Sequence, residues 1–174
     1  MVVLMLTLSL ILPAPQLATD VAWQRQCVEK GWRPLREGVD VSVLPNDKGQ
    51  GLYALRDLDA GELIARYEGE LLENADYQSG ASSGAYAMGL ANGKVVDGED
   101  PRRSNFVRYI NHSVLRANCK AEDAFDETSQ IAAVFLETIK PVRAGDELLF
   151  DYGSEYWDSR APRFSPTRFK IDFF

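Results

Sequence analysis

Cysteine and histidine are nearly missing. The 174 residues hold two cysteines, Cys27 and Cys119, and one histidine, His112. Two thiols close at most one disulfide, so a disulfide scaffold and a Cys₄ zinc centre are both excluded, and such sparse usage suits a reducing compartment. Runs of Lys or Arg are missing too. With 19 basic against 26 acidic residues the net charge is −7, so no electrostatic footprint for direct nucleic-acid binding exists. An acidic surface favours basic partners instead. A bilayer-spanning run is also lacking, since about 20 apolar residues are needed. The nearest approach is MVVLMLTLSLIL at the N-terminus, 12 residues long. No Lys or Arg precedes it, and PAPQLATD after it offers no clean A-x-A cleavage site. Three readings of residues 1–19 stay open: a targeting segment, a buried strand or helix, and an artefact of where the chain is taken to begin.

What is present suits one globular domain. The apolar fraction is 45% and the charged fraction 26%, enough for a real core. Residues 20–38 open with DVAWQRQCVEKGW, whose spacing predicts a flanking helix lined by Val21, Ala22, Val28 and Trp32 and ended at Gly31. From Val39 the texture becomes β-rich: VDVSVL, LYAL, LIARYEG, AYAMGL, KVVDG, IAAVFLETI and ELLFDYG, separated by turn signals. Asn92-Gly93 is a hairpin signal. Short helical stretches are expected at 76–79 and around 105–110. Strand–helix alternation of the doubly wound kind does not occur. The fold class is mostly β, in several small sheets. RDLDAGELIARYEGE and KPVRAGDELLFDYGSE echo each other, which we take as a shared turn-then-strand solution rather than a repeat. The segment 158–174 is basic, proline-broken and aromatic.

The lone histidine lies in RYINHSVLRANC. By itself, Asn111-His112-Ser113 is a side-chain-stabilised turn. Three other signals stand around it in fixed order: GQGLYAL at 49–55, ARYEGE at 65–70 and GDELLFDYG at 145–153, with SNFVRYINHS at 104–113 between the last two. Singly each is weak. Together, over residues 39–157, they resemble the SET domain of protein lysine methyltransferases. The resemblance implies a β-clip-like fold in which the NHS and DYG segments thread past each other as a pseudoknot. It implies S-adenosylmethionine as methyl donor, transfer to a lysine amine of a basic protein segment such as a histone tail, and an intracellular place of action, nuclear or cytoplasmic.

The chemistry suits such residues. A lysine amine must lose its proton before attacking a sulfonium methyl, which costs about 4–5 kcal/mol at pH 7. A narrow aromatic channel lowers the amine pKa by desolvation, and alignment contributes several kcal/mol more. No metal or covalent nucleophile is required. By the resemblance, Lys48, Gly49, Gln50 and Gly51 meet the donor's methionine part, glycine allowing close backbone approach. Asn111 meets its amino-acid end with its side chain, and the His112 backbone pairs with its adenine, so His112 is a holder and strand anchor rather than a base. Tyr152 aligns the amine and stabilises positive charge, and Tyr67 is a second channel tyrosine. Tyr86 stands between channel lining and core packing, and Arg108 is expected in an ion pair that orients the loop.

Departures from the family pattern are equally specific. Val114 follows Ser113 where many relatives have cysteine, and no cysteine follows Cys119, so both halves of the usual zinc site are missing. Ser104 stands where glycine is common. Closure of the donor pocket then falls to the C-terminal aromatics, with Tyr156 or Trp157 near the adenine and Phe164, Phe169, Phe173 and Phe174 packing behind. Asp97, Glu99, Asp100, Glu122, Asp123, Asp126 and Glu127 are candidates for meeting a basic peptide along a sheet edge. The alternative to an enzyme is a catalytically silent SET-type peptide-binding module.

Overall fold

The computed structural model describes residues 24, 25, 27–29, 31–126 and 131–158. The N-terminal apolar run, Glu127 and the tail aromatics from Phe164 onward lie outside them. Ten strands follow in chain order: β1 (Val41–Asn46), β2 (Gly49–Ala54), β3 (Leu63–Arg66), β4 (Glu70–Leu72), β5 (Ala87–Gly89), β6 (Val95–Asp97), β7 (Asn111–His112), β8 (Cys119–Asp126), β9 (Ile131–Thr138) and β10 (Leu149–Phe150). They form four small sheets: β1-β2, β3-β9-β8, β4-β6-β5, and the parallel pair β7-β10. Short helical pieces cover Asn74–Asp76, Tyr77–Ala81, Phe106–Tyr109 and Ser154–Asp158. The fold is mostly β, as its sequence texture predicts, and no described helix is long and apolar enough to cross a membrane.

Turn chemistry sets the first hairpin. The Asn46 side chain accepts the Lys48 backbone N–H at 2.9 Å, the local bond that makes asparagine a turn residue. Gly49 then takes φ 109°, a region that side chains avoid. Asn46 pairs with Gly49 and Leu44 with Gly51, so GQG is the start of strand β2 rather than a loop. The echoing stretches meet head to head: the N–H of Leu58 donates to the Val142 carbonyl at 2.8 Å and that of Val142 to the Leu58 carbonyl at 3.0 Å. They are two similar turns docked on one another. Beside them, the buried Asp40 carboxylate accepts from Arg36 at 3.0 Å and Arg56 at 2.8 Å, which holds its pKa far below the carboxylate range.

The threading of the chain positions everything else. Leu149 lies opposite Asn111 and Phe150 opposite His112. The N–H of Ser113 then donates to the Phe150 carbonyl at 3.1 Å, and the N–H of Asn118 to the Leu149 carbonyl at 2.9 Å. The Asn118 side chain completes the clasp, donating to the Glu147 carbonyl and accepting from the Leu149 N–H, both at 2.8 Å. Residues 111–118 thus wrap around β10. Leu52, Ile64, Leu136 and Leu148, from four separate segments, are 0% exposed, and each contributes about 1.5–3 kcal/mol by burial.

At the N-terminal edge, residues 24–25 and 27–29 are helical. The N–H of Trp32 donates to the Cys27 carbonyl at 2.9 Å, and Gly31 at φ 63° makes that C-cap. Trp32 packs its ring edge-on to Phe135 at 5.7 Å. Val28, expected on the inner face, is 83% exposed, because the cap turns the chain and leaves Trp32 as the residue that docks.

Candidate active site

The wrap of β7 around β10 brings Asn111 beside the β1–β2 hairpin. The Asn111 amide donates one hydrogen to the Gln50 carbonyl and the other to Glu147 Oε1, both at 2.9 Å. The same Glu147 oxygen accepts from Asn46 Nδ2 at 2.9 Å. With both amide hydrogens committed, Asn111 Oδ1 remains as an acceptor. Lys48 reaches across to the His112 carbonyl, its Nζ 3.2 Å away. Lys48, Gly49, Gln50, Asn111 and His112 all line one cavity of about 1030 Å³. Gly51 does not. It is buried, and a Cβ there would fall 2.5 Å from both Asn46 Nδ2 and Glu147 Oε1, so its glycine makes room for this network.

Next to it sits an aromatic group. His112 contacts Tyr152 at 5.2 Å and Trp157 at 5.1 Å between ring centroids, and Tyr156 contacts Tyr152 at 4.7 Å and Trp157 at 5.0 Å. The helix Ser154–Asp158 places Tyr156 and Trp157 there directly after DYG. The Tyr152 backbone N–H donates to His112 Nδ1 at 3.1 Å. That nitrogen is therefore unprotonated, and the Asp151 carboxylate 3.7 Å away faces a neutral ring rather than an ion-pair partner. Burial is the main cause that lowers the His112 pKa; Asp151 opposes it and Lys48 adds to it. His112 is a strand anchor here.

The far half of the cavity belongs to Tyr67, Tyr86 and Tyr152. The Tyr152 hydroxyl donates to the Ile110 carbonyl at 2.7 Å, and the Tyr67 hydroxyl to the Tyr86 carbonyl at 2.8 Å. Burial first, then the nearby Tyr152, raises the Tyr67 pKa well above the tyrosine range. Tyr67 keeps its proton and cannot act as a base. Both phenols donate their hydrogens to main-chain carbonyls, and a phenol oxygen that donates in this way can still accept from an amine N–H. Arg108 corrects an expectation. It makes no ion pair among the described residues; its guanidinium lies 4.1 Å over the Tyr86 ring and 5.1 Å from that of Tyr109. The 3₁₀ turn Phe106–Tyr109 aims it at rings rather than at a carboxylate. No cluster of His, Cys, Asp and Glu among the described residues could hold a metal.

Residues 49–153 match the family model of the SET domain. The chain belongs to the SET-domain family. It is 30% identical over 122 residues to histone-lysine N-methyltransferase trithorax of Drosophila virilis, covering 66% of this chain and 3% of that protein. It is 29% identical over 136 residues to histone-lysine N-methyltransferase SETD2 of Homo sapiens, 74% of this chain and 5% of that one. It is 31% identical over 133 residues to histone-lysine N-methyltransferase set-17 of Caenorhabditis elegans, 71% of this chain and 43% of that one. The chain thus spans well under two thirds of the length of these relatives.

Two parts of this SET domain carry little signal in the sequence. Glu147, inside GDELLFDYG, is the common acceptor that ties Asn46 and Asn111 together; its place in a quoted motif was the only signal. Strand β8 was the other, because CKAEDAFD carries charge where an apolar run is sought. Of the acidic candidates, Asp97 is 7% exposed and serves the Glu99 N–H. Asp100 pairs with Arg102, and Glu122 with Lys120. Among the described ones Asp123 alone lines the cavity.

Proposed function

We propose that this SET domain transfers a methyl group from S-adenosylmethionine to a lysine side chain of a basic protein segment such as a histone tail, wherever in nucleus or cytoplasm donor and substrate meet. In this assignment residues 39–157 form the domain, 20–38 flank it, and 1–19 and 158–174 are extensions. The observation that carries it is convergence: residues 48–50, Asn111-His112 and Tyr152, far apart in sequence, line one cavity.

The residues present fit the donor. The cavity is at the large end of small-ligand sites, about 300–1,000 Å³. Asn111 Oδ1 is an acceptor suited to an ammonium. The His112 carbonyl already receives a donor, Lys48 Nζ at 3.2 Å, so it is open to a purine amino group once Lys48 yields. Trp157 and Tyr156 offer ring surface for a flat base. Gly49 and Gln50 contribute backbone beside Asn111, while Gly51 acts one step back, through packing. When bound, S-adenosylmethionine supplies an electrophilic methyl on a sulfonium.

The chain's own residues do the rest. Tyr67 and Tyr152 accept from the amine N–H groups and fix its lone pair toward the donor side of the cavity. The Ile110 and Tyr86 carbonyls are held beside them by those hydroxyls and favour positive charge there. The apolar walls, Val107, Val134 and Phe150 among them, raise the cost of keeping the amine protonated, and its proton leaves to water.

The test is transfer of labelled methyl to a histone and lysate panel, comparing wild type with Tyr152→Phe and Asn111→Ala. Both variants should lose at least about tenfold, or 1.4 kcal/mol. A change below about threefold in either removes that residue from the site. Donor and peptide binding with no transfer would mark the silent module instead.

A further inference from the structure

We propose that Asp123 selects a cationic side chain, arginine or lysine, lying within a few residues of the target lysine in the acceptor segment. The inference deepens the function proposed above and rests on it. β8 is an outer strand, hydrogen-bonded only to β9, and β5 is an outer strand of the second small sheet, bonded only to β6. Both edge strands contribute to the cavity wall, β8 through Ala121 and Asp123, β5 through Ala87 to Gly89. A polypeptide that delivers a lysine to Tyr67 and Tyr152 must pass these edges, and an extended chain presents alternate side chains to each face.

Asp123 is placed for this by register. It lies opposite Val134, a buried wall residue of the cavity, whose carbonyl accepts the Tyr67 N–H at 2.8 Å. Asp123 therefore stands one strand away from the channel tyrosine. Its neighbour Glu122 is bound on the opposite face, where Lys120 also reaches Glu137 at 2.9 Å. The Asp123 carboxylate has no hydrogen bond or ion pair among the described residues. Burial alone raises its pKa, with no nearby cation to offset it. Asp123 is exposed at the cavity wall; a carboxylate there without a counter-charge attracts a cation that arrives, and a charge-assisted bond to it discriminates against a neutral side chain. The other charged groups of the cavity stand elsewhere: Asp151 and Lys48 beside His112, and Arg108 on the Tyr86 ring.

The experiment uses the full chain and synthetic peptides with one lysine, in which each flanking position in turn is Arg, Lys, Gln or Glu. Two readouts run in parallel: kcat/KM for methyl transfer, and peptide affinity by fluorescence anisotropy without donor. At one flanking position Arg or Lys should beat Gln by about tenfold at low salt, and the advantage should shrink as salt rises. The Arg and Lys arms tell which cation is preferred. Asp123→Asn should bring Arg and Gln peptides within about twofold, and Asp123→Lys should turn the preference toward Glu. Wild type that treats Arg, Lys and Gln alike at every position, or a preference that survives in Asp123→Asn, overturns the proposal. Transfer without an Asp123-dependent preference refutes this inference alone. Asp123-dependent binding without transfer supports it and refutes the transferase assignment.

Discussion

Replacing Gly51 by alanine tests whether the Glu147 network holds the donor side together. The added Cβ would lie 2.5 Å from Asn46 Nδ2, 2.5 Å from Glu147 Oε1 and 3.1 Å from Tyr53 Cε2, where unstrained contacts need about 3.5 Å or more. The first two atoms cannot simply part, because they are bonded to each other at 2.9 Å and Glu147 Oε1 also holds Asn111. One bond to a charged acceptor is worth about 1.5–3 kcal/mol, and an overpacked site adds about 1–3 kcal/mol. Glu147 is only half-buried, which discounts the first figure, so the total is about 2–4 kcal/mol. At about 2–4 °C per kcal/mol for a chain of this size, thermal melting should shift down by about 5–15 °C. Gly89→Ala is the control: nothing lies within 4 Å of its Cβ position and its backbone is ordinary strand, so melting should stay within about 2 °C of wild type. Donor affinity by calorimetry should fall in Gly51→Ala. Melting of Gly51→Ala within about 1 °C of the control would refute the reasoning.

Tyr152→Phe removes the hydroxyl that holds the Ile110 carbonyl, so its stability loss by urea titration should be only about 1 kcal/mol while transfer falls at least about tenfold; equal proportional losses would make Tyr152 merely structural. Trp157, 48% exposed, should matter to ligand rather than fold: Trp157→Ala should weaken donor binding by about three- to tenfold with melting unchanged, and unaltered donor affinity removes it from the site. His112 predicts a pH dependence. Its pKa is lowered on folding, so below the ordinary value near about 6.5 the unfolded chain binds more protons and stability declines as pH falls. Urea titrations between about pH 7.5 and 5 should show a shallower decline in His112→Asn than in wild type; identical slopes would show that the folded and unfolded imidazoles titrate alike.

Local chemistry was legible in the sequence and long-range chemistry was not. The Asn92-Gly93 turn, the short helices and the apolar strands write their signals within a few residues, and their structures follow. The family likewise followed from four short motifs in order. β8 carries no clear strand signal because Lys120, Glu122, Asp123 and Asp126 break up its apolar positions, and a strand whose outer edge stays free needs no apolar run. Glu147 escaped because its partners lie 36 and 101 residues away; nothing near GDELL says that its carboxylate binds two asparagines. Arg108 departs from expectation for a related reason. A lone arginine before NHS suggests a carboxylate partner, yet the rings that receive it are set by the turn of its own helix and by the β4-β6-β5 sheet.

The polarity of the cavity follows from where its hydrogens have gone. Asn111 gives both amide hydrogens to Gln50 and Glu147. Tyr67 and Tyr152 give theirs to the Tyr86 and Ile110 carbonyls, and His112 Nδ1 takes one from the backbone. Beside the buried Arg108 guanidinium, the groups that line the cavity are mainly acceptors: Asn111 Oδ1, two phenol oxygens, the Ile110 and Tyr86 carbonyls, and the carboxylates of Asp123 and Asp151. Of the cations, Lys48 sits on the His112 carbonyl and Arg108 on a ring. A phosphate or carboxylate ligand needs the reverse, a cradle of free N–H groups. An acceptor-rich, half-apolar cleft favours cationic ligands, which suits the sulfonium donor and lysine acceptor proposed above. Substituting Asn111 by Asp would keep the acceptor but remove the two donors. Glu147 and the Gln50 carbonyl would then confront a second carboxylate, so the hairpin should detach from β7 even though the cavity becomes more negative. Weaker donor binding in Asn111→Asp, measured by calorimetry, would place the anchor above charge in importance; tighter binding would reverse that order.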